Sequence, residues 1–217
     1  MKDSTLNVVI PMKDPADAKQ RLSDALSDDQ RSQLALELFE DTLHFFSSYF
    51  PHLHVLVVTA SPRIRDITDR FGHSVLLEPN AAGLNTAIQR ATDWSLRYQY
   101  QQQLVIPADI AELDADEIQQ LLASLTDYPA VVLAEAKDQG TNALLCSPPD
   151  AIPFRFGQRS AQRHQQEAQK RAIHCRRLSL TQLSQDIDQP QDLLGYPPVA
   201  KRYPIQSSLD HGGISYV

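Results

Sequence analysis

Short apolar runs that stop abruptly at proline or a polar residue recur along the chain, and they restrict the folds open to it. The sharpest is Leu104-Val105-Ile106, which ends at Pro107 and continues as Ala108-Asp109-Ile110. A run that is apolar at consecutive positions fills a strand buried on both faces, as in a parallel sheet covered by helices. Leu6-Asn7-Val8-Val9-Ile10-Pro11, Val55–Thr59, Val75–Leu77 and Ala130–Ala134 have the same character. Between them the pattern changes to helical spacing. Ser27 and Gln30 form a capping-box signature ahead of Leu34, Leu38, Phe39, Thr42, Phe45 and Phe46, predicting a helix through about Tyr49. Ser61-Pro62 opens a helix with Ile64, Ile67 and Phe71 on one face, stopped by Gly72. Further helices are expected over Ala87, Ile88, Ala91 and Leu96, from about Asp114 to Leu125, and from Ala161 to Lys170. This alternation predicts an α/β fold with a doubly wound, parallel sheet and helices on both faces. Residues 1–196 read as one domain. Residues 197–217 read as a C-terminal tail without periodicity that wraps the surface or stays mobile, and Gln99 with Gln101–Gln103 as a glutamine-rich loop.

The polar residues at the ends of these runs carry the chemistry. Open α/β sheets bind ligands beyond the C-terminal ends of their strands, where Asp109 falls. A carboxylate there could hold a hard divalent cation against a phosphate, although a solvated Asp closing an ordinary strand would look the same. Lys13, Lys19 and Arg21 lie within a nine-residue span just after the first strand. Three cations there could neutralise a triphosphate, and a plain solvated loop is the alternative. No G-x-x-x-x-G-K-[ST] occurs, so the loop is not a P-loop. Gly83-Leu84-Asn85, before a helix, would let a flat ligand approach the backbone. Gly140-Thr141-Asn142 precedes another apolar run, and Phe156-Gly157-Gln158-Arg159-Ser160 leads into a helix whose start could bind an anion. Asp186 and Asp188, two apart, share one face of an extended backbone. With Asp109 they could converge on a divalent cation if the fold joins the two regions.

Composition removes several classes. Hydrophobic content of 42% and charged content of 22% fit a globular domain. A net charge of −7 and no basic cluster argue against a nucleic-acid surface. No apolar run approaches the roughly 18 residues of a membrane span, and no signal peptide is evident. Cys146 and Cys175 match no metal-ligand spacing, which fits a reducing cytoplasm. His44, His52 and His54 fall on a helix, a loop and a strand start, which suits structural or surface roles better than a metal cluster. Nothing in the sequence fixes a homodimer, although it is compatible with one.

Six motifs in order resemble the 2-phospho-L-lactate guanylyltransferase family of deazaflavin coenzyme F-420 biosynthesis. They are Pro11-x-Lys13 with Ala18-Lys19-x-Arg21-Leu22, Gly83-Leu84-Asn85, Pro107-Ala108-Asp109, Gly140-Thr141-Asn142-Ala143-Leu144, Phe156-Gly157-x-x-Ser160 with Arg163-His164, and Asp186-Ile187-Asp188-x-Pro190-x-Asp192-Leu193. The resemblance implies a Rossmann-like, mostly parallel sheet with flanking helices, the glycosyltransferase-A-type nucleotidyltransferase fold. It implies transfer of GMP from GTP to the phosphate of a small phospho-acid, with release of pyrophosphate. By motif, Asp109, Asp186 and Asp188 would bind magnesium, and Lys13, Lys19 and Arg21 the triphosphate. Catalysis would rest on Lys13, Lys19 and Asp109. Gly83, Leu84 and Asn85 would approach the guanine, and Thr141, Gly157 and Ser160 would hold the acceptor. The sequence departs from the family at Ile110-Ala111-Glu112 and Asn80-Ala81-Ala82. The acceptor stays open among 2-phospho-L-lactate, phosphoenolpyruvate and 3-phospho-D-glycerate. A cytidylyl- or molybdopterin-type nucleotidyltransferase and a non-catalytic nucleotide-binding subunit are the competing readings.

Overall fold

The apolar runs become strands because helices bury them from both sides. The computed structural model of the chain describes residues 5–195 and 201–203. Seven strands form one sheet: β1 (Leu6–Pro11), β2 (His54–Thr59), β3 (Ser74–Leu77), β4 (Gln102–Val105), β5 (Ala130–Glu135), β6 (Thr141–Ser147) and β7 (His174–Leu178). Their order is β3-β2-β1-β4-β6-β5-β7. β1 pairs in parallel with β2 and β4, β2 with β3, and β5 with β7. The fold is therefore the expected α/β, Rossmann-like, mostly parallel sheet. β6 is the exception, antiparallel to both neighbours. Residues 136–140 between β5 and β6 are too few for the crossover that a parallel neighbour needs, so the chain turns back as a hairpin.

Helices α1 (Asp28–Tyr49), α2 (Pro62–Arg70) and α4 (Ala115–Ala123) cover one face, and α3 (Leu84–Arg97) and α5 (Ser160–Lys170) the other. The Ser27 hydroxyl accepts from the Gln30 N–H while the Gln30 side chain accepts from the Ser27 N–H, which fixes where α1 starts. On one face Phe39, Leu43 and Phe46 of α1 pack with Ile64 of α2, Ile118 of α4 and Val8, Ile10 and Leu104 of the sheet. On the other, Ile88 and Ala91 of α3 meet Val9 and Val58, and Ala161 and Ala168 of α5 meet the β5 and β6 side of the same core. A third cluster joins Leu22 and Leu26 after β1, Leu34 and Leu38 of α1, Ile187, Leu193 and Tyr203. It ties the loop after β1 to the segment that precedes and includes the short helix α6 (Pro190–Gly195).

Two segments differ from their sequence patterns. β4 starts at Gln102, inside the expected glutamine-rich loop, because its backbone pairs with Leu6 and Asn7. Gln103 is fully buried and its amide is satisfied, donating to the Thr92 hydroxyl and accepting from Ser95. β7 escaped the sequence reading because it is an edge strand whose side chains stay largely exposed, His-Cys-Arg-Arg-Leu, with no apolar run. His54 is structural, as expected, bonded to Asn7 and Ser74 and stacked on Trp94. In the predicted tail, Lys201 to Tyr203 pack on the domain through Tyr203, while residues 196–200 and 204–217 lie outside the described residues.

The chain leaves β1 toward β2 on one side and reaches β4 on the other, so the strand order reverses between β1 and β4. Ligands of open α/β sheets bind beyond such a switch point. Phe39, fully buried, should anchor α1 on this frame. Phe39→Ala is expected to lower the unfolding free energy by about 3–5 kcal/mol with an unchanged urea m-value. A loss below about 1 kcal/mol would contradict this packing.

Candidate active site

The loop after β1 is shaped before it is charged. Asp14 accepts from the Ser61 hydroxyl (2.6 Å) and the Ala16 N–H (3.0 Å), which together hold its carboxyl below the usual range and staple the loop to the start of α2. Lys19 then adopts a left-handed backbone, φ 54° and ψ 34°, which a non-glycine residue keeps only when its surroundings fix it. Its side chain is 5% exposed, and Nζ donates to Asp109 Oδ2 at 3.0 Å. Arg21, two residues on, donates from Nη1 to Asp188 Oδ2 at 2.6 Å, with the guanidinium mostly exposed. Lys13 is exposed and makes no ion pair among the described residues.

Asp109 meets Asp186 through main chain. Ile110 forms an antiparallel bridge with Asp186, Ala111 N–H donates to Gln185 O (2.8 Å), and Ile187 N–H donates to Asp109 O (3.0 Å). Ile110 and Ile187 are both buried, while Asp109 and Asp186 are half-buried. Asp186 accepts from Asn142 Nδ2 at 3.0 Å. Burial first, and the nearby Asp109 charge in addition, push its carboxyl above the usual range. Asp192 Oδ2 accepts from the N–H groups of Asp188 and Gln189 and sets the turn into α6. Asp109 and Asp186 are neighbours while Asp188 is turned to Arg21, and the described residues contain no group of three His, Cys, Asp or Glu side chains arranged as a metal cage. Lys19 pairs with Asp109 and Arg21 with Asp188.

A second group of polar residues lies at the start of β6. The β5–β6 register runs Ala134 to Ala143 and then shifts to Glu135 opposite Thr141, leaving Asn142 as the extra residue of a bulge. The bulge turns Thr141 to the α5 face, where its hydroxyl accepts from Ser160 Oγ at 2.9 Å. Gly157, at φ 124°, occupies a conformation closed to most L-residues and shapes the loop before α5. Gly83, at φ 92°, starts α3, and Leu84 is 46% exposed. The Asn85 amide donates to Phe156 O (3.1 Å) and accepts from Phe156 N–H (2.8 Å), clamping the loop that precedes Ser160. Sequence reasoning assigned no role to Asn142 or His164, although both fall inside motifs it quoted.

The family described as Guanylyl transferase CofC like matches residues 6–196. The chain belongs to this family. It is 52% identical to a 3-phospho-D-glycerate guanylyltransferase from Colwellia psychrerythraea over 86% of this chain and 89% of the relative. It is 34% identical to a phosphoenolpyruvate guanylyltransferase from Sphaerobacter thermophilus over 96% of this chain and 99% of the relative. Among solved structures, a candidate nucleotide-diphospho-sugar transferase from Desulfovibrio desulfuricans G20 superposes with a TM-score of 0.73 at 16% identity, over 97% of this chain and 92% of that one, a likeness of fold. The chain is thus a member of a guanylyltransferase family acting on phospho-acids, on a nucleotidyltransferase-type fold. No helix among the described residues is long and apolar enough to cross a membrane.

Removing Asp109 should have a cost beyond chemistry, because it strands the buried ammonium of Lys19. Asp109→Ala is expected to destabilise the guanylyltransferase fold by about 1–3 kcal/mol. Lys19→Met in that background should recover most of the loss in urea titrations. Strictly additive losses would contradict the pairing.

Proposed function

We propose that this enzyme transfers GMP from GTP to the phosphate of 3-phospho-D-glycerate, releasing pyrophosphate, with magnesium as cofactor and as a step in coenzyme F-420 biosynthesis. The observation that carries the reading is the edge between β1 and β4. There a buried lysine, an exposed arginine and two adjacent carboxylates meet beyond the strand ends. The choice of acceptor follows the relative that is 52% identical and named for 3-phospho-D-glycerate. Phosphoenolpyruvate is the second reading, favoured by the relative at 34% identity.

In this reading an oxygen of the acceptor phosphate attacks the α-phosphorus of GTP in line. The new P–O bond forms as the bond between the α-phosphorus and the bridging oxygen breaks, and the electron pair leaves with pyrophosphate. Two anions approach one another only if their charge is offset, and the chain supplies that with Lys13, Lys19 and Arg21 along the triphosphate. Lys19 and Arg21 would exchange their carboxylate partners for phosphate oxygens. The donor set suits a hard divalent cation: Asp109 and Asp186 are neighbouring oxygen donors, and a cation would offset both the burial that chiefly raises the Asp186 carboxyl and the smaller effect of the Asp109 charge. Asp109, Asp186 and Asp188 would hold magnesium, which supplies positive charge against the non-bridging oxygens when bound. Gly83 and Leu84 would leave room for the guanine, with Asn85 fixing the adjoining loop. Thr141, Gly157 and Ser160 would hold the acceptor. No side-chain nucleophile is needed, so the rate comes from positioning and electrostatics.

Pyrophosphate release from GTP and magnesium should be fastest with 3-phospho-D-glycerate, slower with phosphoenolpyruvate or 2-phospho-L-lactate, and absent without an acceptor. Asp186→Asn should lower the rate by a factor on the order of a hundred or more. Turnover of CTP in preference to GTP, or hydrolysis independent of any acceptor, would overturn the assignment.

A further inference from the structure

Beneath the proposed acceptor residues lies a buried relay that the reaction as described does not use. The Arg155 backbone N–H donates to His164 Nε2 at 2.9 Å. His164 Nδ1 lies 3.1 Å from Thr141 Oγ1, which in turn lies 2.9 Å from Ser160 Oγ. His164 is fully buried, Ser160 is nearly so and Thr141 is 6% exposed.

The direction of every bond in this chain follows from its first member. A backbone N–H can only donate, so Nε2 is the bare, accepting nitrogen and the proton sits on Nδ1. Nδ1–H then donates to the Thr141 oxygen. The two hydroxyls share one further proton between them, in whichever direction. Three protons serve two bonds, and one hydroxyl proton is left over. Were Nδ1 the bare nitrogen instead, Thr141 would donate to it and Ser160 to Thr141, and none would remain. The tautomer of one imidazole therefore decides whether the hydroxyl pair can donate to a ligand.

We propose that His164 is a positioning residue for the acceptor, its Nδ1–H tautomer making the Thr141–Ser160 pair a net donor toward an anionic oxygen of the phospho-acid. The inference rests on the reading that Thr141 and Ser160 hold that acceptor. Phosphate and carboxylate oxygens only accept, so a donor surplus is what such a ligand requires. The surroundings keep the ring uncharged: burial first, and the Arg155 charge second, hold its imidazole down at about 4. The Arg155 guanidinium is itself drawn to Glu167, one turn beyond His164 on α5. Lys170 first, with Arg171 and Arg155, holds the Glu167 carboxyl down at about 2. Phe156 packs edge-on against the imidazole, ring centres 4.8 Å apart, and is the same residue that Asn85 clamps through its backbone.

Two substitutions separate donor from acceptor at the Nδ1 end of the ring. In His164→Asn an amide N–H takes the place of Nδ1–H and can still donate to Thr141. In His164→Asp a carboxylate oxygen stands there instead and can only accept, so Thr141 and Ser160 both donate inward and no hydroxyl proton is left for a ligand. His164→Asp is expected to raise the KM for the phospho-acid about tenfold or more, with the KM for GTP unchanged, while His164→Asn stays within about threefold of the parent. Equal effects of the two on kcat, without a change in acceptor KM, would overturn the proposal. If either variant fails to fold, the tautomer can be read in the unaltered protein by long-range 1H–15N correlation. An Nδ1–H signature at neutral pH is expected, and Nε2–H would overturn the inference. Thr141→Val and Ser160→Ala test the underlying reading separately, since an acceptor KM unmoved by both defeats that reading whatever His164 does.

Discussion

The site depends on a short antiparallel bridge between two segments far apart in sequence, 109–111 and 185–187. What holds this bridge is apolar. Ile110 and Ile187 are both buried, each side chain contributing about 1.5–3 kcal/mol, while each main-chain hydrogen bond adds about 1 kcal/mol net. The buried isoleucines thus anchor the bridge. Asp109 and Asp186 are neighbours because Ile110 pairs directly with Asp186, which sets residue 109 one step away across the bridge. Leu22 and Leu193 in the third core cluster act in the same way, bringing the cation loop to the acidic segment.

Once assembled, the edge carries charges of both signs in graded pairs. Lys19–Asp109 is largely shielded on the lysine side, so exchanging its partner for a phosphate needs a ligand of comparable charge. Arg21–Asp188 is open to solvent and is worth about 1 kcal/mol or less. An arriving triphosphate would displace the outer pair readily and the inner pair only once docked. That grading offers a physical basis for selecting a highly charged nucleotide over a monophosphate.

How far this was legible in the sequence varies by residue. Buried strands and amphipathic helices declare themselves through periodicity, which is why β1, β2, α1 and α2 fall where the pattern puts them. The alternation of Asp186, Ile187 and Asp188 is visible in the sequence, and Ile187 is the buried member. β7 and the start of β4 were not legible, since an edge strand needs no apolar run and Gln103 is buried only because Thr92 and Ser95 satisfy its amide. The bulge at Asn142 has no sequence signature, yet it decides where Thr141 points. The Asn85 amide is bound to the Phe156 backbone, a contact the sequence pattern does not show. Such pairings are properties of three-dimensional neighbourhood, and no local pattern encodes them.

The most direct measurement is a crystal structure with 3-phospho-D-glycerate, magnesium and a GTP analogue whose α–β bridge is a methylene. The account predicts the α-phosphate beside Asp109 and Asp186, Lys19 and Arg21 turned onto the triphosphate, and the acceptor phosphate at Thr141 and Ser160 on the side opposite the methylene. A triphosphate seated away from Lys19 and Asp109, or an acceptor that leaves Thr141 and Ser160 untouched, would contradict it.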